Sequence, residues 1–199
     1  MLAACGAEKE IEQQEQNITV EENSDTAFPV TVTDALGKEI TLEEAPDRIV
    51  SLTPSNTEIL FELGLDEEVV GVNDNDNYPE QVVDKTRIGG IEYNIETIIS
   101  LQPDVVFAHE SSMFTFESAI EQLEASGVTV FVVDNAETFD ETYETIEVIG
   151  TLTGKDEEAD KIIASIQSKL ADIQAKLQGV SPKTAFMVVG ASPDIYVVG

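Results

Sequence analysis

Short apolar runs alternate with amphipathic stretches along most of this chain of 199 residues. Runs rich in β-branched residues have the length of buried strands and are bounded by turn residues: Ile49–Leu52, Val69–Val72, Val105–Phe107 and Val128–Val133. Between them, apolar residues recur at the three- and four-residue steps of a helix. This alternation predicts an α/β fold, in which a Rossmann-like N-terminal lobe has a mostly parallel sheet with helices on its faces.

Local signals predict where two of the helices begin. Ser55 and Glu58 have the S-x-x-E spacing of a capping box, and Gly64 is placed to end the helix that they would start. Thr138 and Glu141 have the same spacing. We therefore expect one helix to begin at Ser55 and another at Thr138.

Two further patterns flank this α/β rhythm. Phe28 to Leu42 alternates apolar and polar residues on both sides of a turn, which predicts a β-hairpin at the edge of the domain. From Lys155 to Gln178 an unbroken apolar stripe predicts a single helix of roughly 36 Å. A coiled coil is the alternative, but the preceding rhythm favours a helix that joins two lobes.

The charge balance excludes two classes of partner. The chain has 40 acidic and 10 basic residues and a formal net charge of -30. Nucleic acid and anionic lipid both require clustered lysine and arginine, so we expect neither as a partner of the folded surface. A single cysteine excludes an intrachain disulfide and a thiolate metal cluster. With one histidine as well, no transition-metal site is predicted.

The setting of Cys5 is informative. Leu2 to Gly6 reads LAACG, which looks like a bacterial lipobox, whose cysteine is lipidated after a preceding signal peptide is cleaved. The alternative is a free cysteine in a frayed terminus. Glu8 to Thr26 is acidic and aperiodic, which predicts a flexible tether. A lipid anchor followed by a tether would hold a folded domain away from a membrane.

These patterns divide the chain into four parts. Residues 1–27 are the lipobox and flexible acidic tether, 28–154 the N-terminal α/β lobe, and 155–179 the inter-lobe helix. Strand-like runs at Thr184–Val189 and Ile195–Val198 would start a second α/β lobe within residues 180–199. We expect that C-terminal lobe to be incomplete at Gly199.

The stretch that follows the first buried strand is a candidate binding edge. In β-α-β units, ligands bind at the carboxyl ends of strands beside a helix N-terminus, and Thr53 to Asn56 occupy such a place. The alternative to ligand binding is that Ser55 serves only as a helix cap, which accounts for the same sequence pattern. The chain lacks the G-x-S-x-G, P-loop and dinucleotide motifs, so binding is favoured over a hydrolase built on a serine and His109.

A family resemblance is carried by the long helix and by four motifs, RIVSLTPSNTEILFELG, NYPEQ, RIGG and NIETIISLQPDVVFAH. Over residues 31–199 the chain resembles the class III solute-binding proteins of ABC importers, which serve cobalamin and iron-siderophore uptake. The resemblance implies two α/β lobes, joined by a rigid helix, that hold the ligand between them. It also implies a monomeric extracytoplasmic protein, lipid-anchored to the outer face of the cytoplasmic membrane, whose partner is an ABC importer permease.

The resemblance further implies roles for individual residues. The ligand would be a metal chelate, either a corrinoid or a ferric siderophore, and no resident cofactor is expected. Tyr78 would offer its ring to an apolar ligand face, or alternatively pack beside Pro79. Glu96 would dock into permease arginines, although a carboxylate in a first helical turn also favours the helix dipole. The ligand-binding residues would be Pro54, Ser55, Asn56, Asn77, Tyr78, Gly89, Gly90, His109, Glu110 and Ser111.

Two features narrow the choice of ligand. Cobalamin-specific relatives have large aromatic residues near the RIGG motif and after the PDVVFA strand, where this chain has Gly90 and His109. An anionic ferric catecholate would require cations in the cleft. The lobe has few cationic residues, which favours a neutral or cationic chelate or a corrinoid. These residues are Lys38, Arg48, Lys85 and Arg87. A surface lipoprotein without a transport role is a further alternative.

Overall fold

An antiparallel hairpin opens the described part of the chain. The computed structural model describes residues 28–181, 183–190 and 196–198. Strand β1 (Val30–Thr33) pairs with β2 (Glu39–Leu42), whose alternate residues Ile40 and Leu42 are buried. This confirms the predicted hairpin. The lipobox with Cys5, the tether and Ile195 lie outside the described residues.

Five parallel strands form the central sheet, as the α/β rhythm predicts. In chain order they are β3 (Ile49–Ser51), β4 (Val69–Val72), β5 (Thr86–Arg87), β6 (Val105–His109) and β7 (Val130–Val133). Their spatial order is β5-β4-β3-β6-β7, and every pairing is parallel. β3 therefore lies in the middle, which explains why all three of its residues are buried.

Helices cover both faces of this sheet. They are α1 (Pro54–Glu62), α2 (Ile95–Ser100), α3 (Met113–Ala125), α4 (Phe139–Thr153) and α5 (Asp156–Leu177). One buried cluster joins Ile49 of β3 to apolar residues of α1, α4 and α5. A second joins the next residue, Val50, to α2 and α3. Successive residues of β3 thus serve opposite layers, as the period of a strand requires.

The predicted helix ends are confirmed at one helix and wrong at another. At α4, the Thr138 side chain accepts from Glu141 N–H while the Glu141 carboxylate accepts from Thr138 N–H, so this capping box forms. At α1 the predicted Ser55–Glu58 box is absent, and Thr53 is the N-cap without a side-chain cap bond. The cap lies two residues earlier than predicted because Pro54 suits the first helical position, where no N–H is needed.

The long helix forms as predicted, with 22 residues in α5. Its first turns pack on α4, where Gly150 lies against Ala159, and Ile163 is also buried. The apolar stripe continues past this contact, so Ile173 and Leu177 are exposed. An antiparallel pair, β8 (Met187–Gly190) and β9 (Tyr196–Val198), follows; β8 begins three residues after the predicted Thr184. None of the helices in the described ranges is both long and apolar enough to span a membrane.

Candidate functional site

The strand order creates a switch point beside β3. The chain runs from β3 outward to β4 and β5 on one side, then returns to place β6 and β7 on the other. In open parallel sheets a crevice forms at such a point, outside the carboxyl ends of the strands, and ligands bind there. Here Thr53 and Pro54 follow β3, and His109 ends β6. Of the predicted binding residues, Pro54, Ser55, His109, Glu110 and Ser111 therefore belong to one edge.

Asn56 also lies at this edge, but its side chain does not face outward. It has no exposed surface, and its Nδ2 donates to the carbonyl oxygen of Ala108 at 2.9 Å. The bond joins the first turn of α1 to the end of β6 across the switch point. In this structure the Asn56 side chain fixes the spacing of the two elements that border the crevice, and its contact with ligand stays a prediction.

An aromatic pair that the sequence reasoning missed lies at the same crevice. The rings of Tyr93 and Phe116 have centroids 4.3 Å apart and planes inclined by 43°. With Thr53 and His109 they border a narrow gap between packed side chains. The hydroxyl oxygen of Thr53 is buried there and has no hydrogen-bond partner among the described residues. The crevice thus combines aromatic surface with polar groups.

The phenol of Tyr93 is held by a hydrogen bond to the end of β3. Its hydroxyl donates to the carbonyl oxygen of Leu52 at 2.7 Å, at the end of β3. Burial raises the pKa of this phenol to about 12, and the nearby Asp76 carboxylate acts in the same direction, while the Asn73 amide opposes the shift. The ring is therefore held in one orientation as a neutral phenol at physiological pH.

A buried polar network supports this edge from the β4–β5 loop. Asn73 Nδ2 donates to the same Leu52 carbonyl at 2.7 Å, and Asp76 Oδ2 accepts from the Thr57 hydroxyl at 2.7 Å. Arg87 donates to the backbone carbonyls of Asn73 and Asp76. Burial raises the pKa of Asp76, against the hydrogen bonds and the Arg87 charge that lower it. The segment is a structured loop, and no three candidate metal ligands cluster in the described chain.

Asn77 and Tyr78 lie in the same loop but away from the aromatic pair. Tyr78 is 61% exposed. It lines a surface groove with Glu58 and Phe61 of α1 and is not among the residues that border the gap beside Thr53 and His109. The structure therefore does not bring Tyr78 to the switch point, and the ring that lies there is Tyr93.

The glycine pair shapes the turn that delivers Tyr93. Gly89 has a φ of +99°, and a Cβ there would lie 2.1 Å from the carbonyl oxygen of Glu92. Gly89 also forms a β-bridge with Tyr93. Gly90 is less constrained, since a Cβ would lie 3.2 Å from Asn75 Nδ2. The backbone of this turn explains Gly89 without any ligand.

His109 and Ser111 form a local contact at the end of β6. The Nδ1 of His109 accepts from Ser111 N–H at 3.2 Å and lies 2.8 Å from the Ser111 hydroxyl. Burial lowers the pKa of His109, although Glu110 and Asp134 act to raise it. This is the capping arrangement of a short 3-10 turn, so the serine–histidine proximity follows from local backbone geometry.

Glu96 lies on a different element from the crevice. It is exposed in the first turn of α2, where the Asn94 side chain accepts from Thr97 N–H and caps the helix. Within the described residues Glu96 makes no hydrogen bond or ion pair that would occupy its carboxylate. It is therefore available at the surface.

Comparison with known proteins places this geometry in a family. Residues 49–199 match the family described as "Periplasmic binding protein". The chain belongs to this family. The periplasmic binding proteins are solute-binding proteins rather than enzymes, so the family prediction and the non-catalytic prediction are both confirmed. The hydrolase alternative is set aside on the same ground.

Individual periplasmic binding proteins resemble three quarters or more of the chain. The ABC transporter substrate-binding lipoprotein YvrC of Bacillus subtilis is 43% identical over 204 residues, covering all of this chain and 63% of the relative. A possible iron-binding protein of Staphylococcus epidermidis has a TM-score of 0.67 at 36% identity, covering 77% of this chain and 60% of that one. The vitamin B12-binding protein of Vibrio cholerae has a TM-score of 0.65 at 26% identity, with coverages of 75% and 58%. The chain thus spans about three fifths of these relatives.

Proposed function

We propose that this protein captures a metal chelate, either a corrinoid or a ferric siderophore, and delivers it to the permease of an ABC importer. The observation that carries the proposal is the Tyr93–Phe116 pair, which borders the switch point beside Thr53 and His109. The names of the relatives support it, since they describe substrate-binding, vitamin B12-binding and possible iron-binding proteins.

The aromatic pair suits a ligand with an apolar ring or ligand-shell face. Aromatic side chains bury large areas and prefer offset or tilted contacts with other ring systems. Cobalamin-specific relatives were expected to carry aromatic residues near the RIGG motif, and Tyr93 supplies one three residues after Gly90. This restores a feature of corrinoid binders that the motif itself lacks.

The cations of residues 28–154 favour a ligand without strong negative charge. Arg87 is committed to backbone carbonyls of its own loop, and the Nε of Arg48 donates to Leu101 at the opposite end of the sheet. Lys38 forms an ion pair with Glu124, and Lys85 donates to the carbonyl of Asp66. All four therefore have partners of their own. A polyanionic catecholate would need free cations at the crevice.

Delivery to a permease would use Glu96. Its exposed carboxylate is the kind of group that an arginine of a partner recognises with paired hydrogen bonds. Glu96→Gln removes the charge while keeping the shape. We expect this variant to bind ligand normally but to lose uptake in cells that depend on the transporter. Normal uptake would contradict the docking role, and weakened binding would instead place Glu96 in ligand recognition.

Anchoring would occur through lipidated Cys5, with residues 8–26 as a tether, so that the protein acts as a monomer on the outer face of the cytoplasmic membrane. The lipoprotein name of the Bacillus subtilis relative supports this. A Cys5→Ala variant should then be released from the membrane fraction, and its retention there would contradict the anchor.

Tyrosine fluorescence tests ligand capture directly, because the chain has four tyrosines and no tryptophan. The protein would be titrated with cyanocobalamin, a neutral ferric hydroxamate and an anionic ferric catecholate, with equilibrium dialysis as a check on absorbance artefacts. We expect saturable binding of one of the first two and none of the catecholate.

Matched variants locate the site. Tyr93→Leu should weaken binding at least about tenfold, since it removes an aromatic contact together with its buried area. Tyr78→Leu removes a tyrosine that lies away from the switch point and should leave affinity within about twofold of the parent, less than 0.5 kcal/mol. Equal losses in both variants would refute the assignment of the crevice. Failure of all three chelates to bind would refute the proposed function.

A further inference from the structure

The two ring nitrogens of His109 differ in their hydrogen bonding. Nδ1 lies 3.2 Å from the backbone N of Ser111, with geometry in which that N–H donates. A backbone amide has no acceptor capacity on its nitrogen, so Nδ1 must present a lone pair. The hydroxyl of Ser111, 2.8 Å away, is free to donate as well. In a neutral imidazole the single proton then resides on Nε2.

The surroundings favour this neutral form. Adding a second proton would place N–H on Nδ1 directly against the N–H of Ser111, which loses the hydrogen bond and opposes like dipoles. Burial of the ring acts in the same sense and lowers the pKa of His109 below its ordinary value. The carboxylates of Glu110 and Asp134 oppose the shift but do not reverse it.

The Nε2–H group has no hydrogen-bond partner among the residues that the structure describes. The ring of His109 borders the narrow gap beside Thr53, Tyr93 and Phe116. The Thr53 hydroxyl at that gap is buried and also lacks a partner in the described chain. His109 is only half-buried and its Nε2 is not among the buried unpaired atoms, so this N–H is open at the edge and can donate to an acceptor that binds beside the aromatic pair.

Building on the proposed function, we propose that His109 recognises the chelate by donating its Nε2–H to an oxygen or nitrogen acceptor on the ligand periphery, and that it does not coordinate the metal. Coordination requires a lone pair on Nε2. The proton would have to move to Nδ1, at the cost of the bond from Ser111 N–H. The ligands that fit are chelates whose metal is saturated by its own donors and whose rim carries amide or hydroxamate oxygens.

The tautomer can be measured on the free full-length chain. His109 is the only histidine, so a sample labelled with ¹⁵N-histidine gives one set of two-bond ¹H–¹⁵N correlations that need no assignment to a residue. We expect Nδ1 to show the shift of an unprotonated nitrogen and Nε2 that of a protonated one. Ser111→Ala keeps the backbone N–H and should keep this pattern. A proton on Nδ1 at neutral pH would overturn the proposal, whatever the ligand proves to be.

A second experiment uses aquacobalamin, whose axial water is exchangeable. His109→Gln retains an N–H donor at similar reach, whereas His109→Leu removes the donor but keeps apolar bulk. If His109 donates, Gln should bind within about twofold of the parent, Leu about fivefold to tenfold more weakly, and the visible spectrum should keep its aqua bands. Spectral change to an imidazole-ligated form, lost equally in both variants, would overturn the proposal. Absence of binding in the parent would count against the corrinoid function, while the tautomer measurement would still decide the role of His109.

Discussion

Replacing Tyr93 by phenylalanine separates the phenol from the ring that we propose contacts the ligand. The hydroxyl makes one strong hydrogen bond, to the Leu52 carbonyl at 2.7 Å. That carbonyl also accepts from Asn73 Nδ2 at 2.7 Å, so the variant leaves no orphaned acceptor. We therefore expect a loss of about 0.5–1.5 kcal/mol in the free energy of unfolding, the net value of one hydrogen bond. The ring stays in contact with Phe116, so ligand affinity should be nearly unchanged.

The same variant has a spectroscopic signature. Burial raises the pKa of Tyr93 from 10.0 to about 12. The folded phenol therefore holds its proton where an unfolded one would lose it, so its contribution to stability is present below pH 10 and is lost as pH rises towards 12. Part of the phenol remains near solvent, so this contribution should be no more than about 1–2 kcal/mol. An absorbance titration of phenolate should show a late component that disappears in Tyr93→Phe.

Urea unfolding of the parent and of Tyr93→Phe at neutral pH measures the loss in the free energy of unfolding. Alkaline absorbance titration of the same two proteins measures the late phenolate component. A loss above about 3 kcal/mol would mean that the phenol supports more than one net hydrogen bond, against the magnitude argued from Asn73. A late component that persists in the variant would show that another tyrosine carries it. Either result would refute the anchoring of the ring through Leu52.

Two further predictions concern packing and pH. Gly150→Ala would place a Cβ 2.7 Å from that of Ala159, so α5 must shift. We expect the free energy of unfolding to fall by roughly 0.5–2 kcal/mol, after allowance for the higher helix propensity of alanine, as measured by urea unfolding. Unchanged stability would contradict the close contact. Burial raises the pKa of Asp76, so the parent should lose stability relative to Asp76→Asn as pH rises from 3.8 through the folded pKa. A difference between the two that does not vary with pH would refute that shift.

The fold followed from local signals wherever those signals were strong. The hairpin at 28–42, the strand–helix alternation and the long helix each extend over many residues of periodic pattern, so errors at single positions do not matter. The start of α1 was misplaced because two local preferences compete there, and Pro54 prevails over the Ser55–Glu58 spacing. Strand β5 has two residues, too few for any period to be recognised.

The candidate site was only partly predictable because it is made by topology. His109 and the Thr53 edge could be located, since each directly follows a recognisable strand. Tyr93 and Phe116 lie on separate elements 23 positions apart, and no local pattern shows that their rings meet. The inward orientation of Asn56 likewise depends on Ala108, which belongs to a strand 52 positions away.

The charge of the chain and the placement of its cations act together on ligand choice. A formal charge of -30 repels polyanionic ligands as they approach the protein. At physiological ionic strength this repulsion acts within a Debye length of about 8 Å from the surface. Within residues 28–154, the Arg87 guanidinium donates to backbone carbonyls and so stabilises the loop that carries Asn73 and Asp76. The residue that could have bound an anion near the edge therefore serves to hold the edge in shape. If ligand binds at this edge as we propose, the residues of the edge would contribute to affinity through ring contact and through neutral donors such as the Nε2–H of His109. A substitution that freed Arg87 would weaken the loop before it created an anion site.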